Sequence, residues 1–215
     1  MNSMNNYELP DGFVLLSEAA PDALQELRYA TRFNFIGTPI DGYASPRAAM
    51  TERAADALRR ACGLAADQGL LLKVYDAYRP QRAVDHFNRW VQDAADTRMK
   101  RWFYPDVDKS ELYTLDFLGH KSTHSRGSAV DLTLVEMATG READMGGPFD
   151  FFGPRSRYSW PGLTPEQAVN RALLRNLMTR CGFAPLESEW WHFRLDPEPY
   201  PDTYFTFPVN EDSVE

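Results

Sequence analysis

Apolar and polar positions change their period several times along the chain, and each change marks an element. "GFVLLSE" (12–18) is a short apolar run that predicts a strand near the amino end. Ser45-Pro46 then offers an N-cap followed by proline at the first helical position. From there Met50, Ala54, Leu58, Ala61 and Ala65 recur at helical spacing until Gly69. "LLLKVYDAY" (70–78) predicts a buried strand, ended by Arg79-Pro80, and a second helix follows with Ala83, Phe87, Trp90 and Val91 on one face. Residues 100–120 look irregular. "SAVDLTLVEM" (128–137) predicts another strand, which "TGREADM" (139–145) turns into a hairpin. Residues 145–163, rich in Gly, Pro, Ser and aromatics, predict a long loop over a site. Thr164-Pro165-Glu166-Gln167 is a capping box opening a last helix through Leu173, Leu174, Leu177 and Cys181 to Gly182. "EWWHFRL" (189–195) predicts a final strand. Helices mixed with hairpin-connected strands indicate an α+β fold, with a mainly antiparallel central sheet flanked by helices.

Size and composition narrow the function classes. A chain of 215 residues suits one sizeable domain, since two would have small cores. With 43% hydrophobic and 25% charged residues it has the composition of a soluble globular protein. A net charge of −8 without a basic block argues against nucleic acid as a partner, because phosphate binding needs clustered Lys and Arg. No apolar run is long enough to span a bilayer. "MNSMNNYELPDG" lacks the basic and apolar regions of a signal peptide, so the expected compartment is the cytoplasm. Cys62 and Cys181 sit inside apolar helical patterns and are expected to be reduced core residues. Nothing here sets the oligomeric state.

The chemistry concentrates in two short stretches. In the strand 128–134, Val130, Leu132 and Leu134 point one way, and Ala129, Asp131 and Thr133 point the other, towards a polar cleft. His124 lies seven residues before Asp131, an odd spacing that puts them on opposite faces of a straight strand. They meet only if the chain bends at Ser125-Arg126-Gly127. Catalytic zinc commonly takes three protein ligands and keeps one open position, so a third ligand is needed. Of the four histidines, His86 lies off the apolar face of its helix and reads as solvated. His120 with His124 gives H-x-x-x-H, the spacing of helical zinc proteases, but Lys121 stands where that motif has glutamate, and Gly119 and Gly127 disfavour a helix. His192 suits better because Glu189 accompanies it. An isolated E-x-x-H is more often a surface carboxylate and a core histidine. Two carboxylate–histidine pairs, together with Arg79 at the end of a third buried strand, shift the balance towards one site.

Ser122-x-His124-x-x-Gly127-x-Ala129-x-Asp131 followed by Glu189-Trp190-Trp191-His192 resembles the D-alanyl-D-alanine dipeptidases of the VanX type. These belong to the zinc peptidase group that shares its core fold with D-Ala-D-Ala carboxypeptidases and the Hedgehog signalling domain. The similarity runs from "LRYATRFNFIGTPIDGY" (27–43) through "YDAYRPQRAV" (75–84) and "THSRGSAVDLTL" (123–134) to "EPYPDTYFTFPV" (198–209). It implies one zinc per chain held by His124, Asp131 and His192, with Glu189 as general base and Arg79 stabilising the oxyanion. Tyr29, Ser122 and Asp150 fall where the family lines its pocket for the substrate, the dipeptide D-Ala-D-Ala. Trp190 and Trp191 alternate on the expected strand, one for the core and one for the wall of the site. "DMGGPFDFFGPRSRYSW" (144–160) matches the family less closely, which leaves the substrate range open. Three alternatives stand beside this reading: a carboxypeptidase or endopeptidase on murein peptides, a zinc-stabilised binding module, and a metal-free globular protein should the histidine pairs never meet. Glu189 and Arg79 weigh against the second, since structural zinc needs neither.

Overall fold

The protein is described by a computed structural model covering residues 9–43 and 45–209, so most of the amino-terminal stretch read above for signal character lies outside the described residues. In chain order the strands are β1 (Phe13–Leu15), β2 (Leu24–Gln25), β3 (Ala49–Thr51), β4 (Leu70–Asp76), β5 (Ala129–Glu136), β6 (Phe183–Pro185) and β7 (His192–Leu195). The helices are α1 (Leu16–Ala19), α2 (Glu52–Ala66), α3 (Gln81–Gln92), α4 (Lys100–Phe103) and α5 (Pro165–Arg180). β1 and β3 form a small antiparallel ribbon, and the main sheet runs β2-β4-β5-β7-β6. Only the β2–β4 pair of that sheet is parallel, so the expected α+β class with a mainly antiparallel sheet holds. Among the described residues no helix is long and apolar enough to cross a membrane.

Alternation along β5 divides the interior. Val130, Leu132 and Leu134 join Leu72, Val74, Ala54, Leu58, Leu174 and Leu177 in one buried cluster, which α2 and α5 close. The other face is covered by aromatics: Tyr75 stacks on Phe149 at 4.8 Å, and Phe35 packs on Phe87 and Trp90 of α3. Both faces of β5 are therefore covered, and it is buried along its length up to Glu136. Cys62 and Cys181 are free and buried, as expected, and burial pushes the Cys62 thiol up to about 12.

Several boundaries differ from the sequence reading. The helix expected from Ser45 begins at Glu52, because residues 49–51 pair with β1 and the Ala49 carbonyl accepts the Tyr78 N–H. Met50 is buried by that ribbon, so its apolar character does not report the helix. The stretch 100–120 contains α4 and a 3-10 turn at Lys109–Glu111 capped by Asp108. The 139–145 hairpin forms, with Val135 bridged to Glu142, and the Thr164/Gln167 capping box opens α5. The final strand starts only at His192, after a tight turn in which the His192 N–H reaches the Glu189 carbonyl. Strand alternation therefore does not apply to the two tryptophans. Both are buried, their rings 5.3 Å apart and nearly perpendicular, and neither walls the cleft described below.

Gly127 is the bend the sequence required. It ends a 3-10 turn at Thr123–Arg126 with φ +81°, and a Cβ there would lie 2.3 Å from Phe13 Cε1. Gly127→Ala is expected to combine left-handed strain of about 1–2 kcal/mol with an overpacking cost of about 1–3 kcal/mol. A urea midpoint unchanged from that of the parent protein would contradict this.

Candidate active site

Strand register brings the polar groups together. Asp131 of β5 stands directly opposite His192 of β7, and the 3-10 turn before Gly127 folds His124 back over the same end of the sheet. His192 Nδ1 is 2.9 Å from Asp131 Oδ1, His124 Nε2 is 3.2 Å from Asp131 Oδ2, and the two imidazole nitrogens are 3.1 Å apart. All three side chains are buried. Zinc bound tetrahedrally at its usual ~2.0–2.1 Å spaces its nitrogen and oxygen ligands roughly 3.3 Å apart, so this triad has the dimensions of such a site. The outer ring atoms are occupied as well. His124 Nδ1–H donates to the Ala77 carbonyl at 2.7 Å, which turns Nε2 inward as an acceptor, and His192 Nε2 meets Thr123 Oγ1 at 3.2 Å. Burial alone would raise the Asp131 carboxyl, but the two imidazoles hold it well below the usual carboxylate range. Burial opposes the His192 proton, and Asp131 more than compensates, raising that imidazole.

The triad opens on a cleft of about 390 Å³. Tyr29, Arg79, Ser122, Asp150 and Glu189 all line it, so every site residue expected from the sequence reaches one cavity. Glu189 sits at the wall, its side chain about 22% exposed and Oε2 3.8 Å from His192 Nδ1. The turn at 189–192 supplies that approach. Burial pushes the Glu189 carboxyl up to about 7, against the attraction of His192. Arg79 donates from Nε to Asp76 at 2.8 Å, with Nη2 3.5 Å from Asp131 and the guanidinium over the Tyr29 and Phe87 rings. Asp150 is buried at φ +61° and accepts the Tyr29 hydroxyl at 2.8 Å. Burial first, then Asp131, drives its carboxyl well above the usual range. Ser122 Oγ accepts the His124 N–H at 3.2 Å, capping the turn that carries His124.

The other histidines stay outside. His120 is exposed and stacks on Tyr113 at 4.7 Å. His86, expected in solvent, is instead half-buried, because its Nδ1 accepts the Asp41 N–H at 3.1 Å. The sequence reading missed Asp76. This fully buried carboxylate holds Arg79, accepts the Tyr43 hydroxyl at 2.6 Å and lies 3.6 Å from His124 Nδ1. A bulge between Val74 and Asp76 turns it to the Asp131 side. Its signal was present as an aspartate closing an apolar strand. Thr123 and Asp116 of the cleft wall carried no comparable signal.

A triad that could hold a metal ion at the floor of a cleft, beside an arginine and a carboxyl raised to about 7, has the make-up of a metal-dependent hydrolase site. Residues 10–210 match the family described as D-ala-D-ala dipeptidase, and the chain belongs to that peptidase family. A D-alanyl-D-alanine dipeptidase of Enterococcus faecium is 42% identical over 198 residues, covering 92% of this chain and 98% of the relative. One from Streptomyces coelicolor is 43% identical over 197 residues, with 92% and 98% coverage. Among solved structures, a vancomycin resistance D,D-pentapeptidase in complex with Zn(II) aligns at a TM-score of 0.40 and 16% identity, covering 69% of this chain and 73% of the other. The family assignment rests on the sequence relatives.

The raised Glu189 carboxyl has a measurable consequence in metal-free protein. Its folded-state value of about 7 lies above the ordinary 4.5, so the unfolded chain releases the proton first as pH rises. Glu189→Gln should therefore match the parent near pH 4 and gain relative stability between pH 4.5 and 7. With the carboxylate partly exposed, the gain at pH 8 is on the order of 1–3 kcal/mol. Parallel stability curves across that range would show that Glu189 is not destabilised by burial.

Proposed function

We propose that this protein is a zinc-dependent dipeptidase that hydrolyses free D-alanyl-D-alanine to two molecules of D-alanine. The observation that carries the reading is the convergence of three buried ligand atoms within 4.8 Å at the floor of the cleft, in a chain of the D-ala-D-ala dipeptidase family. His124, Asp131 and His192 would hold one zinc per chain. When bound, zinc supplies a Lewis acid that lowers the pKa of water and polarises the peptide carbonyl. Glu189, poised near neutrality at the cleft wall, takes the proton of the attacking water and returns it to the leaving amine. Arg79 is charged at any working pH and clamped by Asp76, so its guanidinium can meet the negative charge that develops on the carbonyl oxygen.

The same cavity supplies a reason for dipeptide selection. Asp150 and Tyr29 form a buried acceptor pair, and a substrate ammonium there draws Asp150 into its charged form and pairs with it. Ser122 Oγ already accepts from the His124 N–H, which leaves its own hydroxyl proton for a substrate oxygen in the cleft. An acylated nitrogen brings no charge, so the buried carboxylate stays without its partner.

Elemental analysis is expected to find one zinc per chain, lost in His124→Ala and His192→Ala and kept in His120→Ala. Glu189→Ala should keep zinc while turnover falls by the ~10²–10⁴-fold typical of a lost general base. Arg79→Ala should keep zinc and lose on the order of 10²–10³-fold. Zinc loss in Glu189→Ala would make that residue a ligand, and near-normal turnover would remove it from proton transfer.

Product analysis with D-Ala-D-Ala and N-acetyl-D-Ala-D-Ala tests the substrate. The free dipeptide should be cleaved and the acetylated one poorly, with Asp150→Ala damaging the first reaction and narrowing the preference. Equal or faster cleavage of the acetylated compound would indicate a carboxypeptidase or endopeptidase. Zinc-loaded protein that cleaves neither would favour a binding module.

A further inference from the structure

A second ionic cluster adjoins the cleft, whose wall includes its Arg194. Glu198 is buried, with its side chain only 3% exposed, and it accepts from two arginines at once. Arg126 binds it with both prongs of the guanidinium, Nε to Oε2 at 2.9 Å and Nη2 to Oε1 at 2.6 Å. Arg194 reaches the same Oε1 from Nη1 at 2.8 Å. Arg126 is two residues beyond His124, in the same 3-10 turn, and Arg194 is two residues beyond His192, in the same strand. The carboxylate thus ties together the two segments that carry the imidazoles. Charge and geometry both favour the tie, since the bidentate contact fixes orientation as well as distance.

The surrounding chain locks the tie in place. The Phe205 N–H donates to the Ser125 carbonyl at 2.8 Å, and the Gln81 N–H reaches the Phe205 carbonyl. Arg126 Nη1 also donates to Tyr204 at 3.3 Å, so residues 198–205 lie along the turn bearing His124. Without the clamp, that turn meets β7 at the triad through the groups that would bind metal and the single contact of Thr123 Oγ1 with His192 Nε2 at 3.2 Å. Two imidazoles need a fixed separation to act together, and a loose turn gives up that separation.

We propose that Glu198 is a positioning residue for the metal site, acting through Arg126 and Arg194 to hold His124 and His192 at ligating distance. The proposal rests on the triad being the zinc site, and its test separates the two. Zinc affinity is measured by chelator competition on the full chain, with the absorption spectrum of the Co(II)-substituted protein as a second readout and urea unfolding of the metal-free protein as a third. Glu198→Gln is expected to weaken zinc binding ~10–100-fold, the usual effect of losing an outer-sphere partner, and to alter the Co(II) spectrum. Arg194→Gln, at a more exposed position, should fold normally and show a smaller loss of the same kind, with no additional loss when combined with Glu198→Gln. Should Glu198→Gln fail to fold, Arg194→Gln decides. Unchanged zinc affinity and an unchanged Co(II) spectrum in the folded variants, whatever their urea midpoints, would overturn the positioning role. If the parent protein itself binds no zinc, or His124→Ala binds it as well as the parent does, the metal reading fails instead.

Discussion

Burying the Asp131 carboxylate in the middle of the sheet is the constraint that organises the molecule. An uncompensated charge there would cost several kcal/mol, so everything beside it has to answer it. His124 and His192 approach from two chain segments, and Arg79 stands 3.5 Å away. Arg79 in turn is buried and needs its own partner, which Asp76 supplies, and Asp76 needs the Tyr43 hydroxyl. One buried charge thus propagates outward through a chain of satisfied groups, each placed on a strand or on the turn next to it.

The same chain of contacts explains why the site stands on rigid elements. β5 and β7 hold Asp131 and His192 by register, and the bulge in β4 turns Asp76 to their side. The loop that carries Asp150 is longer and would be loose by itself. Arg171 of α5, almost completely buried, secures it by donating to the carbonyls of Met145, Arg155 and Arg157. An arginine that donates only to backbone carbonyls acts as a template for an irregular segment, satisfying acceptors that no ladder reaches. Asp150 adopts a left-handed backbone within that secured loop, a conformation that persists when the surroundings over-determine it.

Charge balance links this architecture to the proposed chemistry. Asp76, Asp131 and Asp150 are buried beside the cleft and Glu189 lines its wall, while Arg79 is the buried cation among the described residues that line it. Burial raises the carboxyls of Asp76, Asp150 and Glu189, each against the pull of Arg79, so the crowding of negative groups is unfavourable as it stands. A divalent cation at the triad and an ammonium at Asp150 would relieve it better. The cavity is therefore electrostatically suited to a metal and to a small substrate with a free amino end.

Much of this was legible in the chain. Local signals such as the capping box at Thr164, the apolar run of β4, the alternation of β5 and the required bend at Gly127 depend on neighbours a few residues apart, and those the sequence displays directly. The pairing of carboxylate with histidine in two segments likewise marked His124, Asp131, Glu189 and His192. What the sequence could not display were contacts between distant segments. Residues 49–51 became a strand because β1 lies beside them, and Trp190 and Trp191 both went to the core because their segment is a turn and not a strand. His86 found a partner in Asp41 across 45 residues, and Glu198 found two arginines 72 residues and four residues away. Local periodicity is written in the order of residues, whereas the satisfaction of a buried charge depends on which segments the fold brings together. For that reason the sequence by itself determined the long periodic elements and the candidate chemistry, and only the tertiary structure decided the short pairing strands and which charges answer one another.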